Sequence, residues 1–233
     1  MGLHLCYELA LPPERSEQAV AALLEQLRQA AHRIQFGVIS PIFHFTGAQC
    51  EPGPWGTGDQ LEWFFKLFAH EAAADSPDPE YPRSVRANLA LGFVVHPGVR
   101  CEAAAFGLAR FPETVTAHPT DRPVETKGWH WHAACKTQYA SVVSDDHLIR
   151  CHLSLVELLE EAARLGLGVT VRDETHYWET RDTRRLLEEV HAMNRIVAGI
   201  AGRLGDSLPD NLRLGGSIVE HPRFERLEMG EDG

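Results

Sequence analysis

Leu3-His4-Leu5-Cys6-Tyr7-Glu8-Leu9-Ala10-Leu11 runs straight into Pro12-Pro13. The stretch is apolar, contains β-forming residues and stops at two prolines, so it reads as a strand. Glu14 to Ile34 follows with Val20, Leu23, Leu24, Leu27, Ala31 and Ile34 on one helical stripe. Pro13, Glu14 and Glu17 suit the start of that helix, where a missing N–H costs nothing and acidic side chains meet the positive end of the dipole. A strand joined at once to an amphipathic helix points to a sheet with helices laid against it.

The rest of the chain extends that pattern. Val38 to Phe45 suggests a second strand, with Pro41 placing it at an edge or bulge. Asp59-x-x-Glu62 has the form of a capping box before the aromatic helix face Leu61, Phe64, Phe65 and Phe68. Ala87 to Val95, the turn His96-Pro97-Gly98 and Cys101 to Phe111 form a predicted hairpin, in which Gly92 and Gly107 weaken both strands. Ser144 caps a helix from Asp145 to Leu165, with Asp145 and Asp146 in its first turn and Gly166 after its end. Val169 to Arg172 is a short strand and Asp173 to Glu179 a loop. Arg181 to Leu204 is the last helix, with Val190, Met193, Val197, Ile200, Ala201 and Leu204 toward the core. Gln49 to Gly58, Ala74 to Arg83 and Pro112 to Gly128 read as loops. The fold class is α+β: a mostly antiparallel sheet with helices packed on one face, and a ferredoxin-like core with additions as the first candidate. Residues 1–233 are expected to form a single domain, with 206–233 a partly ordered tail pinned by Ile218, Val219 and Phe224.

Composition narrows the function classes. The chain has 233 residues, 44% hydrophobic and 24% charged, with a formal net charge of −11. Such a charge argues against nucleic acid or an anionic membrane as the main partner. Five cysteines are widely spaced without a Cys-x-x-Cys pair, which favours reduced thiols over a disulfide framework. No secretory signal and no span of ~20 apolar residues is visible. The expected address is cytoplasmic.

Chemistry-bearing residues concentrate in Gly128 to Ser141, which holds Trp129, His130, Trp131, His132, Cys135, Lys136, Gln138 and Tyr139. On an extended strand His130 and His132 share one face and Trp129 and Trp131 the other. Two histidines at that spacing can chelate a divalent metal such as zinc, with Cys135 and His176 as further ligands. Cys135 beside Lys136 is the thiol best placed by sequence to act as a nucleophile. Lys136, Gln138, Tyr139 and Arg150 suit an anionic or carbonyl ligand. His152, Asp173, Glu174, Trp178 and Glu179 complete either a small-ligand pocket with Trp131 and Cys135 or an ion network joining strand end to helices. Fixed metalloprotease, zinc-finger, phosphate-loop and nucleophile-elbow patterns do not occur.

Trp131, Cys135 to Ser141, Arg150-Cys151-His152 and Tyr177-Trp178-Glu179 with Arg181-Asp182 resemble a pattern carried by a group of uncharacterised bacterial proteins. The likeness runs from about Trp129 to about Leu204. It implies a bacterial cytoplasmic protein and transfers no activity. Three readings follow: a polar and aromatic small-ligand pocket around 129–152 and 173–182, an acidic non-catalytic protein-interaction module of the adaptor or immunity type, and a metal-dependent hydrolase.

Overall fold

The computed structural model describes residues 2–34, 36–54, 56, 58–72, 84–112, 114–117, 120–123, 128–206, 218–221, 224, 227 and 229. Along the chain lie β1 (Leu5–Leu11), α1 (Glu17–Ile34), β2 (Val38–Ile39), β3 (Phe43–Thr46), α2 (Gln60–Leu67), β4 (His70–Ala72), β5 (Ser84–Arg86), β6 (Leu89–His96) and β7 (Ala104–Arg110). Then follow β8 (Thr114–Ala117), β9 (Thr120–Pro123), β10 (Trp129–Cys135), α3 (Asp145–Arg164), β11 (Gly168–Asp173), α4 (Tyr177–Thr180) and α5 (Thr183–Asp206). The main sheet has the order β11-β1-β10-β7-β6-β2, with β3 also on β6, and its pairings are antiparallel. Within it, β11-β1-β10-β7 is the strand order of a ferredoxin-like split βαβ core, crossed by α1 and α3. The α+β class and the helix-covered antiparallel sheet are therefore as the sequence predicts.

Alternation along β1 sets the layers. Leu5, Tyr7, Leu9 and Leu11 are buried, while Glu8 and Ala10 are exposed. The register places Cys135, Ala133, Trp131 and Trp129 of β10, and Asp173, Val171 and Val169 of β11, on the same side as those buried residues. Helix α1 buries Val20, Leu24 and Leu27 completely. Burial of such side chains is worth roughly 1.5–3 kcal/mol each. Helix α3 buries Leu148, Cys151, His152, Leu155, Val156, Leu158, Leu159 and Ala162, and packs on α1.

Several local predictions need correction. The strand expected over 38–45 is two strands, because Pro41 lacks an N–H for the ladder. Ser40 bridges the break: its N–H donates to the Val94 carbonyl (2.9 Å) and its Oγ accepts from the Val94 N–H (2.9 Å). Asp59 caps α2 by accepting from the N–H groups of Leu61 (2.8 Å) and Glu62 (3.0 Å), but the Glu62 carboxylate goes to Lys66 Nζ at 2.7 Å. The loop expected over 112–128 contains the β8–β9 hairpin. Trp178 and Glu179, expected in a loop, lie in α4, entered at His176 (φ 59°) and left at Arg181 (φ 55°). All of the predicted 74–83 loop and most of the 206–233 tail lie outside the described residues. Ile218 is nevertheless buried, with Val219 and Phe224 half-buried.

Gly92 and Gly107 have a role beyond weakening their strands. They face each other across β6 and β7. A methyl on Gly92 would stand 2.2 Å from the Phe106 carbonyl oxygen and 2.6 Å from Phe65 Cε2. On Gly107 it would stand 2.9 Å from the same Phe65 atom. The missing side chains admit the Phe65 ring of α2, which stacks on Trp131 at 4.6 Å. Among the described residues no helix is long and apolar enough to cross a membrane.

Candidate functional site, a buried hydroxyl, imidazole and carboxylate network

The register sets Asp173, Leu5 and Cys135 side by side at one end of the sheet, under α3. There α3 delivers His152 and the residues after β10 deliver Thr137. The His152 ring contacts Thr137 Oγ1 through Nδ1 (3.0 Å) and Asp173 Oδ2 through Nε2 (3.1 Å). Thr137, His152 and Asp173 are only 3%, 1% and 3% exposed. An ionised carboxylate only accepts, so Nε2 carries the proton and donates to Asp173. The Thr137 hydroxyl, both donor and acceptor, completes the Nδ1 side.

Asp173 is fully engaged. Its Oδ1 accepts from the Thr175 N–H (2.9 Å) and hydroxyl (2.7 Å), and its Oδ2 also accepts from the Trp178 N–H (3.0 Å). Burial alone raises a carboxyl pKa. Here the hydrogen bond and charge of His152, helped by Thr175, outweigh it and lower Asp173 to about 2. The Tyr177 ring meets the imidazole edge-on at 5.6 Å. One carboxylate thus ties β11, the turn into α4 and α3 together.

A second network adjoins the first. Gln138 Oε1 accepts from the Leu3 N–H (2.8 Å), and its amide nitrogen donates to Asn194 Oδ1 (2.7 Å). Asn194 Nδ2 donates to Ser141 Oγ (2.9 Å), whose hydroxyl donates to the Gln138 carbonyl (2.7 Å). This fastens α5 and the residues before β1 to the short 3-10 turn over Gln138–Val142. The buried stripe of α5 is accordingly Leu186, Val190, Asn194 and Ala198, and Leu204, predicted to face the core, is 53% exposed. Thr137, Ser141, Thr175 and Asn194 were absent from the predicted site. Thr137 and Ser141 lie inside the chemistry-rich run. Asn194 was detectable as a polar residue four positions after Val190 and four before Ala198.

The other predicted site residues disperse. Lys136 Nζ lies 3.6 Å from Glu102 Oε1. Tyr139 is half-buried, and burial, then Glu102, pushes its phenol up. Arg150 is exposed and donates to His147 Nδ1 at 2.6 Å. Glu174 accepts from the His4 N–H (2.9 Å) and from Arg172 (3.1 Å). Trp178 lies beneath the Arg181 guanidinium at 4.7 Å, and Glu179 is exposed.

The metal set does not assemble. His130 and His132 do share a face, with His130 3.9 Å from Glu8 Oε2. Cys135 differs from both by an odd number of residues and points to the opposite, helix-covered face. His176 is exposed beyond the end of β11. Among the described residues, no three His, Cys, Asp or Glu side chains are arranged to hold a metal ion. Cys135 also lacks the environment of a nucleophile. Its thiol is buried, donates to the Glu102 carbonyl at 3.3 Å, and is pushed up by burial, then by the Glu102 carboxylate.

Comparison with family models, curated proteins and solved structures gave no match.

The network carries a pH signature. The Asp173 carboxyl has a lower pKa in the fold than the ordinary 3.8. Its stabilisation is therefore complete above about pH 5 and lost as pH falls through about 4 to about 2, amounting to about 2 kcal/mol. Urea unfolding between pH 6 and 2 should show this loss in the wild type and not in Asp173→Asn. Equal acid sensitivity of the two proteins would assign the loss to other carboxylates.

Proposed function

We propose that this chain is a non-catalytic binding protein whose acidic surface engages a cationic protein partner. The observation that carries the reading is the closure of the Thr137, His152 and Asp173 network. Its donors and acceptors already bind one another inside the fold, so no polar group of the three is left open to a substrate. The same closure engages His152 and Asp173 of the small-ligand reading, and the adjoining network engages Gln138. Chemistry for recognition then lies at the surface. Thirty-three acidic residues face 22 basic ones, and among the described residues Asp173 is the one buried carboxylate. A surface excess of negative charge favours cationic partners and makes association sensitive to salt.

Calorimetric titration with an unstructured lysine-rich peptide, and with its glutamate-rich counterpart, tests this at 50 and 300 mM NaCl. The lysine-rich peptide should bind at low salt and weaken at least tenfold at high salt, while the acidic peptide should not bind. Absent binding at 50 mM, or binding indifferent to salt, would overturn the proposal.

A further inference from the structure

The main sheet ends in two different ways. At one end β6 carries the two-residue β2 and the four-residue β3, with Pro41 between them. That edge is short and interrupted, which discourages pairing with another chain. At the other end β11 runs for six residues, Gly168–Asp173, without a proline. Among the described residues its one strand partner is β1.

Main-chain groups along an antiparallel strand turn alternately to one side and the other. The Glu174 N–H donates to the His4 carbonyl at 3.1 Å. The register continues with Arg172 opposite Cys6, Thr170 opposite Glu8 and Gly168 opposite Ala10. These residues direct their N–H and C=O groups to β1, so Val169 and Val171 direct theirs outward. Contacts within the fold close this stretch at both ends. The Leu167 N–H donates to the Ala162 carbonyl at 3.1 Å, and the Asp173 carbonyl accepts from the His176 N–H at 2.9 Å. Leu167 and Asp173 are equally far along the chain from Thr170, so the outward groups are disposed symmetrically about that residue.

We propose that β11 is the interface of a two-fold symmetric homodimer, in which the β11 strands of two copies pair antiparallel about Thr170 and make one continuous sheet. In that register Val169 of each copy exchanges N–H and C=O hydrogen bonds with the partner's Val171, and every outward group of both valines is used. A slip by one repeat of the ladder in either direction would set a valine against the Leu167 N–H or the Asp173 carbonyl, which are already engaged.

The side chains agree with this register. On the helix-covered side Val169 meets the partner's Val171. Both are half-buried in the single chain and pack on the core, so pairing covers what remains of their apolar surface. On the other side Thr170 meets its own copy, a favourable cross-strand pair. Arg172 meets the partner's Gly168, so no like charges stand opposite. The Arg172 side chain is 79% exposed and repels a strongly cationic strand, which keeps this edge distinct from the acidic surface.

Sedimentation analysis of the full chain from 1 to 200 µM, with amide hydrogen exchange followed by NMR, tests the proposal. Wild type should be dimeric at the upper end, with the Val169 and Val171 N–H groups protected in the dimer. Raising NaCl from 50 to 300 mM should hold or strengthen it, because salt screens two copies of like net charge. Thr170 is exposed, and Thr170→Lys sets two lysines opposite each other, which should weaken the dimer about fivefold. Mixing that variant with Thr170→Glu should restore pairing as a heterodimer. A monomer at 200 µM would overturn the proposal. So would a dimer that Thr170→Lys leaves unchanged, or one in which the Val169 and Val171 amides exchange as fast as in the monomer. Amide exchange on wild type decides the matter even if a Thr170 variant fails to fold.

Discussion

Replacing Asp173 by Ala is expected to cost about 3–5 kcal/mol of folding stability, the range for breaking a buried pair by removing one partner. The substitution leaves the His152 Nε2–H without an acceptor in a site that water does not reach. It also frees the Thr175 N–H and hydroxyl and the Trp178 N–H, which hold the turn into α4. Four donors then lose one acceptor residue. For a chain of this length the melting temperature should fall by roughly 10 °C. Asp173→Asn should recover part of the loss, since one amide oxygen still accepts from Thr175 while the NH2 group opposes the His152 N–H. Thermal and urea unfolding of the three proteins measure the differences. A loss below about 1 kcal/mol for Asp173→Ala would mean that the network is not a main fastening of the fold.

Trp131→Ala should be of similar size for a different reason. Trp131 is 1% exposed, stacks on Phe65 and donates through Nε1 to the Ala105 carbonyl at 2.8 Å. Truncating a buried aromatic residue removes its burial energy and leaves a cavity, together about 3–5 kcal/mol. Collapse around the cavity is limited by the tight Gly92 and Gly107 contacts beneath Phe65. Because the Tyr7 hydroxyl also donates to the Ala105 carbonyl at 2.8 Å, that oxygen keeps a partner in the variant. The loss should therefore reflect packing more than an orphaned acceptor, and Trp131→Phe should recover most of it. Equal destabilisation by Ala and Phe would point instead to the indole N–H. Urea unfolding separates these outcomes.

The residues explain which features were legible. The alternation of Leu5, Tyr7, Leu9 and Leu11 states which side of β1 is buried. The stripe of α1 needs only its own spacing, and Asp59, Ser144 and Gly166 mark helix ends through bonds or angles made within a few residues. The parity separating Cys135 from His130 and His132 was equally available once β10 was read as a strand, and it argued against a shared metal. Polar residues inside apolar patterns were harder to read. Asn194 interrupts the apolar stripe of α5, yet it is buried because Gln138 and Ser141 supply its partners.

The strand β1, the helices α1, α2, α3 and α5, and the net charge that disfavours polyanionic partners follow from the sequence alone, because neighbouring residues set local propensity and charge simply adds. Tertiary structure decided which of those elements meet. Thr137, His152 and Asp173 are 15 and 21 residues apart at successive links, and only the packing of α3 across the β10 and β11 ends brings them within hydrogen-bond distance. It also turned two weak strand glycines into the seat of Phe65. Burial, partner and orientation belong to contacts between distant segments, which no local pattern specifies.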